Sequence, residues 1–164
     1  MRRKAVKLIV GGLALLAASG CGFQLRGSNA IPYRSIHVDA PRDSGAARQL
    51  ASALRSRGIV LPENARDADA VLKLSEEKKT RTILSLSGGG RVREYRLNYS
   101  LSYRLTDKDG NEVHPASVIQ SSRDFTYDDN QYLAKTAEES FLYRDLQDDA
   151  VQQIIRRLAS ASSR

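Results

Sequence analysis

Cys21 is the residue of this 164-residue chain whose chemistry is most distinctive. It is the only cysteine, and it lies between two glycines directly after an apolar run. Because no second cysteine exists, its thiol cannot form a disulfide within the chain. Two roles remain, a buried free thiol or an acceptor for a covalently bound lipid. The surrounding stretch CGFQLRG has no apolar periodicity, which argues against burial.

The residues before Cys21 are organised like a secretory signal. Four basic residues among the first seven precede an apolar stretch at 8–18, and small residues follow it. A membrane-spanning helix needs about 20 apolar residues, whereas a signal h-region needs roughly 7–15. Small residues that end in Gly-Cys resemble a bacterial lipobox, in which the thiol takes a diacylglyceryl group. We predict a cleaved signal peptide at 1–20 and lipidation of Cys21.

Composition bounds the remaining chain to one domain without a nucleic-acid signature. Residues 21–164 are enough for a single domain with a real core. The formal net charge is +7, but four positive charges lie in the predicted signal, which leaves about +3. The basic balance therefore reflects targeting rather than a nucleic-acid partner. Gly22 follows the cysteine where an aspartate would retain similar lipoproteins at the inner membrane, so we expect an outer-membrane location.

Catalytic or metal-binding patterns are missing from the sequence. His37 and His114 have no cysteine, histidine or carboxylate at a familiar metal-ligand spacing. The stretch LSLSGGGR lacks both the Gly-x-Ser-x-Gly nucleophile motif and the Gly-Lys-Ser/Thr end of a phosphate loop. We predict no enzyme activity, no metal and no cofactor, with both histidines solvated or hydrogen-bonded locally.

Three basic residues form the sharpest candidate binding site. Arg91 and Arg93 follow the glycine run at 88–90, and Lys135 lies near the start of the last helix. Guanidinium groups bind phosphate oxygens in pairs, so these residues could hold a phosphorylated ligand. An exposed cationic loop that only aids solubility is the alternative.

The alternation of apolar and polar residues, together with capping and turn residues, predicts the elements that position these side chains. The segments are a strand at 35–41, a helix that begins at Asp43 or Ser44 and ends near Gly58, strands at 71–87, 95–106 and 114–129, and a helix from Asn130 or Gln131. The last helix has an apolar stripe that includes Leu142, Leu146 and Ile154. Glycines at 88–90 and the pair Asp109-Gly110 predict two hairpin turns.

Two of the predicted strands have distinctive side-chain patterns. Even-numbered positions of 71–87, from Leu72 to Leu86, predict one common face, interrupted by a bulge or exposed stretch within EEKKTR. The strand at 95–106 alternates without a fault, and it places Tyr95, Tyr99 and Tyr103 on one face. Those tyrosines are either core residues or a rim that contacts a partner.

The order of elements predicts an α+β fold: a four-stranded, mostly antiparallel sheet with two amphipathic helices packed on one face. The first strand is the one that could pair in parallel. We expect a signal peptide at 1–20, a lipidated tether at 21–34, one domain at 35–160 and a disordered tail at 161–164.

The chain resembles the LptE family of lipopolysaccharide-assembly lipoproteins. The resemblance runs in order through GCGFQLRG, REYRLNYSL, FTYDDNQYLAKTAEES and QQIIRRLAS. It implies a lipid-anchored plug that faces the periplasm, lies inside the outer-membrane β-barrel LptD, helps that barrel assemble and binds lipopolysaccharide. It also implies that Lys135 matches a basic site on the second helix of the family. The other basic site of the family is at the hairpin tip, where Arg91 or Arg93 would serve.

Two other functions stay open at this point. The first is a stand-alone lipid- or glycan-binding lipoprotein without a barrel partner, which would need an internal apolar pocket. The second is a periplasmic enzyme, which would need clustered acid, base or nucleophilic groups.

Overall fold

The computed structural model describes residues 31–160, so the predicted signal peptide, Cys21 and the last four residues lie outside the described part. The elements are β1 (Ile36–Asp39), α1 (Gly45–Arg55), β2 (Ala70–Leu86), β3 (Val92–Asp107), β4 (Glu112–Thr126) and α2 (Tyr132–Ser160). Short 3₁₀ turns lie at Ala65–Asp67 and Asp129–Gln131.

The four strands form one sheet in the order β1-β2-β3-β4. β1 pairs with β2 in parallel, and the β2–β3 and β3–β4 pairs are antiparallel. Both helices contribute to a single hydrophobic core against this sheet. The predicted α+β fold is therefore confirmed, including the parallel pairing of the first strand.

The alternation of β3 builds the centre of the core. Its odd-numbered residues Leu97, Tyr99, Leu101, Tyr103 and Leu105 are at most 2% exposed. They pack in one cluster with apolar side chains of both helices. Burial of each such leucine contributes roughly 1.5–3 kcal/mol. The core interpretation of the tyrosine stripe is confirmed for Tyr99 and Tyr103.

Local hydrogen bonds set the helix boundaries close to where the sequence predicts them. Ser44 is the N-cap of α1, and its Oγ accepts a hydrogen bond from the Ala47 N–H at 3.1 Å. Gly58 ends that segment with a φ of +79°, which glycine adopts without a Cβ clash. At the other helix, the Asp128 carboxylate accepts from the Asn130 N–H at 3.0 Å.

β2 contains the bulge that its charged stretch predicts, and the bulge changes which residues face the core. Between Ser75 and Lys78, β2 has one residue more than the facing segment of β3, and Glu76 has a φ of +45°. The strand therefore reverses its alternation: Lys79 pairs with core-facing Tyr99, and Thr80 pairs with Asn98 on the outer face. A second register shift leaves Leu84 as an extra residue between Ile83 and Ser85. The expectation that the even-numbered residues share one face along all of β2 is therefore wrong for Thr80 and Thr82.

The bulge also turns Glu77 inward, toward α1. Its carboxylate accepts hydrogen bonds from the Ser44 hydroxyl at 2.7 Å and from the Tyr99 hydroxyl at 3.1 Å. Burial, with the Glu77 charge beside it, raises the pKa of Tyr99, so the phenol stays protonated and donates. One carboxylate thus joins the start of α1, the bulge and the centre of β3.

At the opposite end of the sheet, Asp69 holds the segment that leads out of the domain toward Cys21. Its carboxylate accepts from the backbone N–H groups of Ser35 at 2.9 Å and Arg34 at 3.0 Å. Ile31 and Tyr33 pack against the core, so the last residues of the predicted tether contact the domain. The tether and domain boundaries stay predictions.

Replacement of Tyr99 by phenylalanine tests the Glu77 link. The ring packing is kept, but the carboxylate loses one of its two hydroxyl donors. We expect the free energy of unfolding to fall by about 1–3 kcal/mol, measured by urea denaturation. Tyr132→Phe is the matched control, because Tyr132 is exposed and its hydroxyl forms no hydrogen bond with a described residue. Equal effects of the two substitutions would contradict the role of Glu77.

Asp69 predicts a loss of stability in acid. Hydrogen bonds from Ser35 and then Arg34 lower the pKa of Asp69 below its unfolded value of about 3.9. Its stabilisation is therefore present above that value and is lost as the pH falls through the folded-state pKa. We expect Asp69→Asn to flatten the pH dependence of the thermal midpoint below about pH 4. Asp67→Asn, which removes a neighbouring carboxylate that accepts no such bonds, should leave the slope unchanged.

Candidate functional site

The candidate site begins at the β2–β3 hairpin tip. The Ser87 N–H donates to the Arg91 carbonyl at 2.7 Å, and the Gly90 N–H donates to the Ser87 carbonyl at 2.9 Å. Gly90 has a φ of +77°, so the left-handed conformation that this turn needs is filled by glycine. The glycine run thereby holds Arg91 at the tip and starts β3 one residue later.

Both arginines of the tip are exposed and have free guanidinium groups. Neither Arg91 nor Arg93 forms a side-chain hydrogen bond or ion pair with another residue of the described 31–160 segment. Arg96, three residues further along β3, instead forms a two-pronged pair with Asp124 at 2.7 and 3.0 Å. That pair raises the pKa of Arg96 and lowers the pKa of Asp124. Of these three arginines, the two at the tip remain available for an anionic ligand.

Lys135 is in a different state. Its ammonium donates to Glu138 at 2.9 Å and lies 5.4 Å from the centroid of the Phe125 ring. The side chain is only 16% exposed. A ligand phosphate would therefore compete with Glu138 for this ammonium group. At Arg91 and Arg93 it would meet no such competitor among the described residues.

An aromatic cluster connects the three basic residues. Tyr127 packs edge-on against Tyr95 at 5.4 Å and against Phe125 at 6.2 Å, measured between ring centroids. The Tyr127 N–H donates to the Arg93 carbonyl at 2.8 Å. Burial and the Asp129 carboxylate raise the pKa of Tyr127, so this phenol is neutral. The structure thus brings Arg93 and Lys135 to one end of the sheet, with Arg91 at the adjoining tip.

Arg81 belongs to the same end, although no sequence pattern predicts it there. Its guanidinium lies 4.6 Å from the centroid of the Tyr95 ring and pairs with Glu139 of α2 at 3.1 Å. Because the bulge reverses the alternation of β2, Arg81 lies on the helix side of the sheet, where it reaches Glu139 while its side chain stays about half exposed. The charged stretch EEKKTR contained the only signal, and it did not show which charges would turn inward.

The histidines have local roles. His37 Nδ1 lies 3.0 Å from the Pro62 carbonyl oxygen, and His114 Nε2 lies 3.3 Å from the Arg157 carbonyl oxygen. Across residues 31–160, no three histidine, cysteine or carboxylate side chains are grouped so that they could hold a metal ion. No helix in this same range is long and apolar enough to cross a membrane.

The sheet face away from the helices is mainly polar, with Val118 as an exposed apolar side chain, and no described element covers it. The pairing places on it a set of hydroxyl, amide and charged side chains: Lys78, Thr80, Thr82, Arg96, Asn98, Ser100, Ser102, Arg104, Gln120, Ser122 and Asp124. Arg104 pairs with Glu112 at 3.6 Å at one end of this face. Such a surface is suited to a wet environment rather than to a second apolar layer.

Solved structures share this fold. A solution NMR structure of an uncharacterized lipoprotein B from Nitrosomonas europaea is 34% identical, with a TM-score of 0.75 over 87% of this chain and 93% of that one. The crystal structure of the rare lipoprotein B from Shewanella oneidensis is 26% identical, with a TM-score of 0.69 over 77% and 94%.

Sequence relatives lead to the same group. The chain is 29% identical over 164 residues to the LPS-assembly lipoprotein LptE of Pectobacterium atrosepticum, across 96% of this chain and 86% of that protein. It is 28% identical to the protein of the same name from Photorhabdus laumondii, across 96% and 87%. A family model described as LptE, lipopolysaccharide-assembly, matches residues 33–158. That match covers every strand and nearly all of α2, which confirms the resemblance: the chain belongs to the LptE family.

Proposed function

We propose that this chain is an outer-membrane lipoprotein that works as the LptE-type subunit of a lipopolysaccharide translocon, seated in the lumen of an LptD-type β-barrel. The observation that carries the proposal is the lipopolysaccharide-assembly family match over residues 33–158. The relatives with similar sequences are named LPS-assembly lipoproteins. In this role the chain assists assembly of the barrel and needs no catalytic group.

The polar sheet face supports a position inside a barrel. The lumen of a large outer-membrane barrel is polar and hydrated. Thr80, Asn98 and Ser100 lie on the uncovered face, where hydroxyl and amide groups can exchange hydrogen bonds with water or with lumen side chains. An apolar face at the same place would require a lipid or a second hydrophobic layer.

The dimensions of β2 also fit this position. The strand runs from Ala70, next to Asp69, to Leu86 at the tip, and it includes the bulge after Ser75. At about 3.3 Å per residue, its 17 residues extend over roughly 50 Å. The hydrocarbon core of a bilayer is about 30 Å thick. A chain anchored through Cys21 at the periplasmic leaflet could therefore extend its tip across the membrane within a barrel.

In this function Arg91, Arg93 and Lys135 bind the phosphates of lipopolysaccharide. The two arginines are the stronger part of the site, because their guanidinium groups are free and planar. Lys135 contributes where the ligand displaces Glu138 from its ammonium group.

A stand-alone lipid carrier is the competing function. The charged lining of the largest described groove is unsuited to it. A groove of about 740 Å³ lies between α1, the β2 bulge and α2. Its lining includes Asp43, Arg48, Glu76, Lys79 and Arg144. Acyl chains would leave these charged groups without water, so this groove is a poor carrier cavity.

Isolation of the chain with its partner tests the proposed function. Full-length tagged protein, extracted from its native envelope in mild detergent, should bring down a large β-barrel protein in a 1:1 ratio, identified by mass spectrometry. A tagged unrelated outer-membrane lipoprotein is the control. Recovery of the chain as a monomer that carries lipid, with no barrel, would replace the proposal with the carrier function.

Charge reversal tests the phosphate site. Arg91→Glu with Arg93→Glu should weaken lipopolysaccharide binding by roughly tenfold for each arginine. Lys135→Gln should have a smaller effect, because Glu138 already competes for the ammonium. Arg42→Glu with Arg66→Glu is the charge-matched control, since both residues are exposed and lie away from the tip. Equal losses in the control would show that only net charge matters.

A further inference from the structure

Exposed apolar side chains are concentrated at the hairpin end of the molecule. Among the described residues, eight large hydrophobic side chains are exposed, and five of them lie at this end. We define the apolar tip as the set Ile83, Leu84, Leu86, Tyr132 and Leu133. Leu86 is 56% exposed and Leu133 is 82% exposed. Clustered exposed apolar groups mark interaction surfaces, whereas single ones need no explanation.

The five residues surround the aromatic cluster of the candidate site. Ile83 lies opposite Tyr95 in the β2–β3 register. Leu86 lies opposite Val92, which is the residue between Arg91 and Arg93 in the sequence. The Tyr132 phenol is near enough to Tyr127 to raise the pKa of that residue. The apolar tip therefore adjoins the arginines instead of forming a separate surface elsewhere on the domain.

The arginine and leucine side chains at this end indicate what kind of ligand it binds. Within residues 31–160, Arg91 and Arg93 have no anionic partner, and Leu86 lies opposite Val92, the residue between them. Neutralisation of the arginines requires an anion, and coverage of the leucines requires hydrocarbon. A phosphorylated amphiphile supplies both in one molecule. A polar lumen wall supplies neither hydrocarbon nor phosphate, and it matches the opposite, hydroxyl-rich face of the sheet better.

We propose that the apolar tip binds the acyl chains of the same amphiphile whose phosphates Arg91 and Arg93 hold. This inference rests on the proposed function, and it assigns to the tip the hydrocarbon part of lipopolysaccharide. The side chains at this end then hold one acyl segment at the hairpin while the sheet face remains hydrated. Acyl contact also makes the tip discriminate acylated from deacylated ligand.

The test uses two probes and the full-length lipidated chain in nanodiscs. The probes are hexa-acylated, bis-phosphorylated lipid A and the bis-phosphorylated glucosamine disaccharide from which all acyl chains have been removed. Leu84→Ser with Leu86→Ser should weaken binding of the acylated probe roughly tenfold or more and leave binding of the deacylated probe unchanged. Arg91→Glu with Arg93→Glu should weaken binding of both probes. Leu133→Ser, on the exposed helix surface, is a second test of the same effect.

Val60→Ser with Val118→Ser is the matched control, because both valines are exposed and lie outside the apolar tip. The unfolding midpoint of each variant reports whether the fold is kept. Unchanged affinity of the serine variants for lipid A, or equal losses for both probes, would overturn the acyl-chain assignment. Loss of barrel co-isolation with intact lipid A affinity would also overturn it, since the tip would then dock on protein. Absence of lipid A binding by the unmodified chain would instead reject the ligand in the proposed function.

Discussion

The extra residue in β2 between Ser75 and Lys78 is the constraint on which the rest of the structure depends. It reverses the alternation of the strand, so Leu72 and Leu74 face the core before the bulge and Lys79 and Arg81 face the helices after it. Glu76 adopts a φ of +45°, which costs about 1–2 kcal/mol for a residue with a Cβ. The two hydroxyl donors that Glu77 gains offset that cost.

The reversal divides the domain into two halves that are stabilised by different interactions. Beside the tether, both helices bury leucines and isoleucines against the sheet. Toward the tip, polar contacts replace them: Arg81 pairs with Glu139, and the Tyr143 hydroxyl donates to the Thr80 carbonyl at 2.8 Å. Exposed ion pairs contribute little to stability. Stability is thus concentrated beside the tether, and the tip leaves leucines and arginines exposed to a ligand.

The sequence predicted what depends on local periodicity and missed what depends on pairing. The alternation of β3 and the capping residue Ser44 are patterns within a few residues of sequence. They therefore predicted the strand, the start of the helix and the burial of the tyrosines. The sequence contained the bulge only as a charged run, with no mark of where the extra residue lies. The helix-side position of Arg81 depends on that register, and the placement of Leu84 and Leu86 depends on further register shifts after Ile83. Lys135 was identified by position, but its pairing with Glu138 was not.

The two ends of β2 explain why a lipid anchor and a lipid-binding tip can belong to one small domain. Asp69 holds the tether segment at one end through two backbone N–H groups, and the apolar tip lies roughly 50 Å away along a strand of 17 residues. The β2–β3 hairpin keeps that separation, since β2 pairs with β3 on both sides of its bulges from Ala70 to Leu86. Under the proposed function, the anchor can stay in one leaflet while the tip contacts acyl chains bound for the other. A much shorter hairpin would bring both lipid contacts to a single membrane surface.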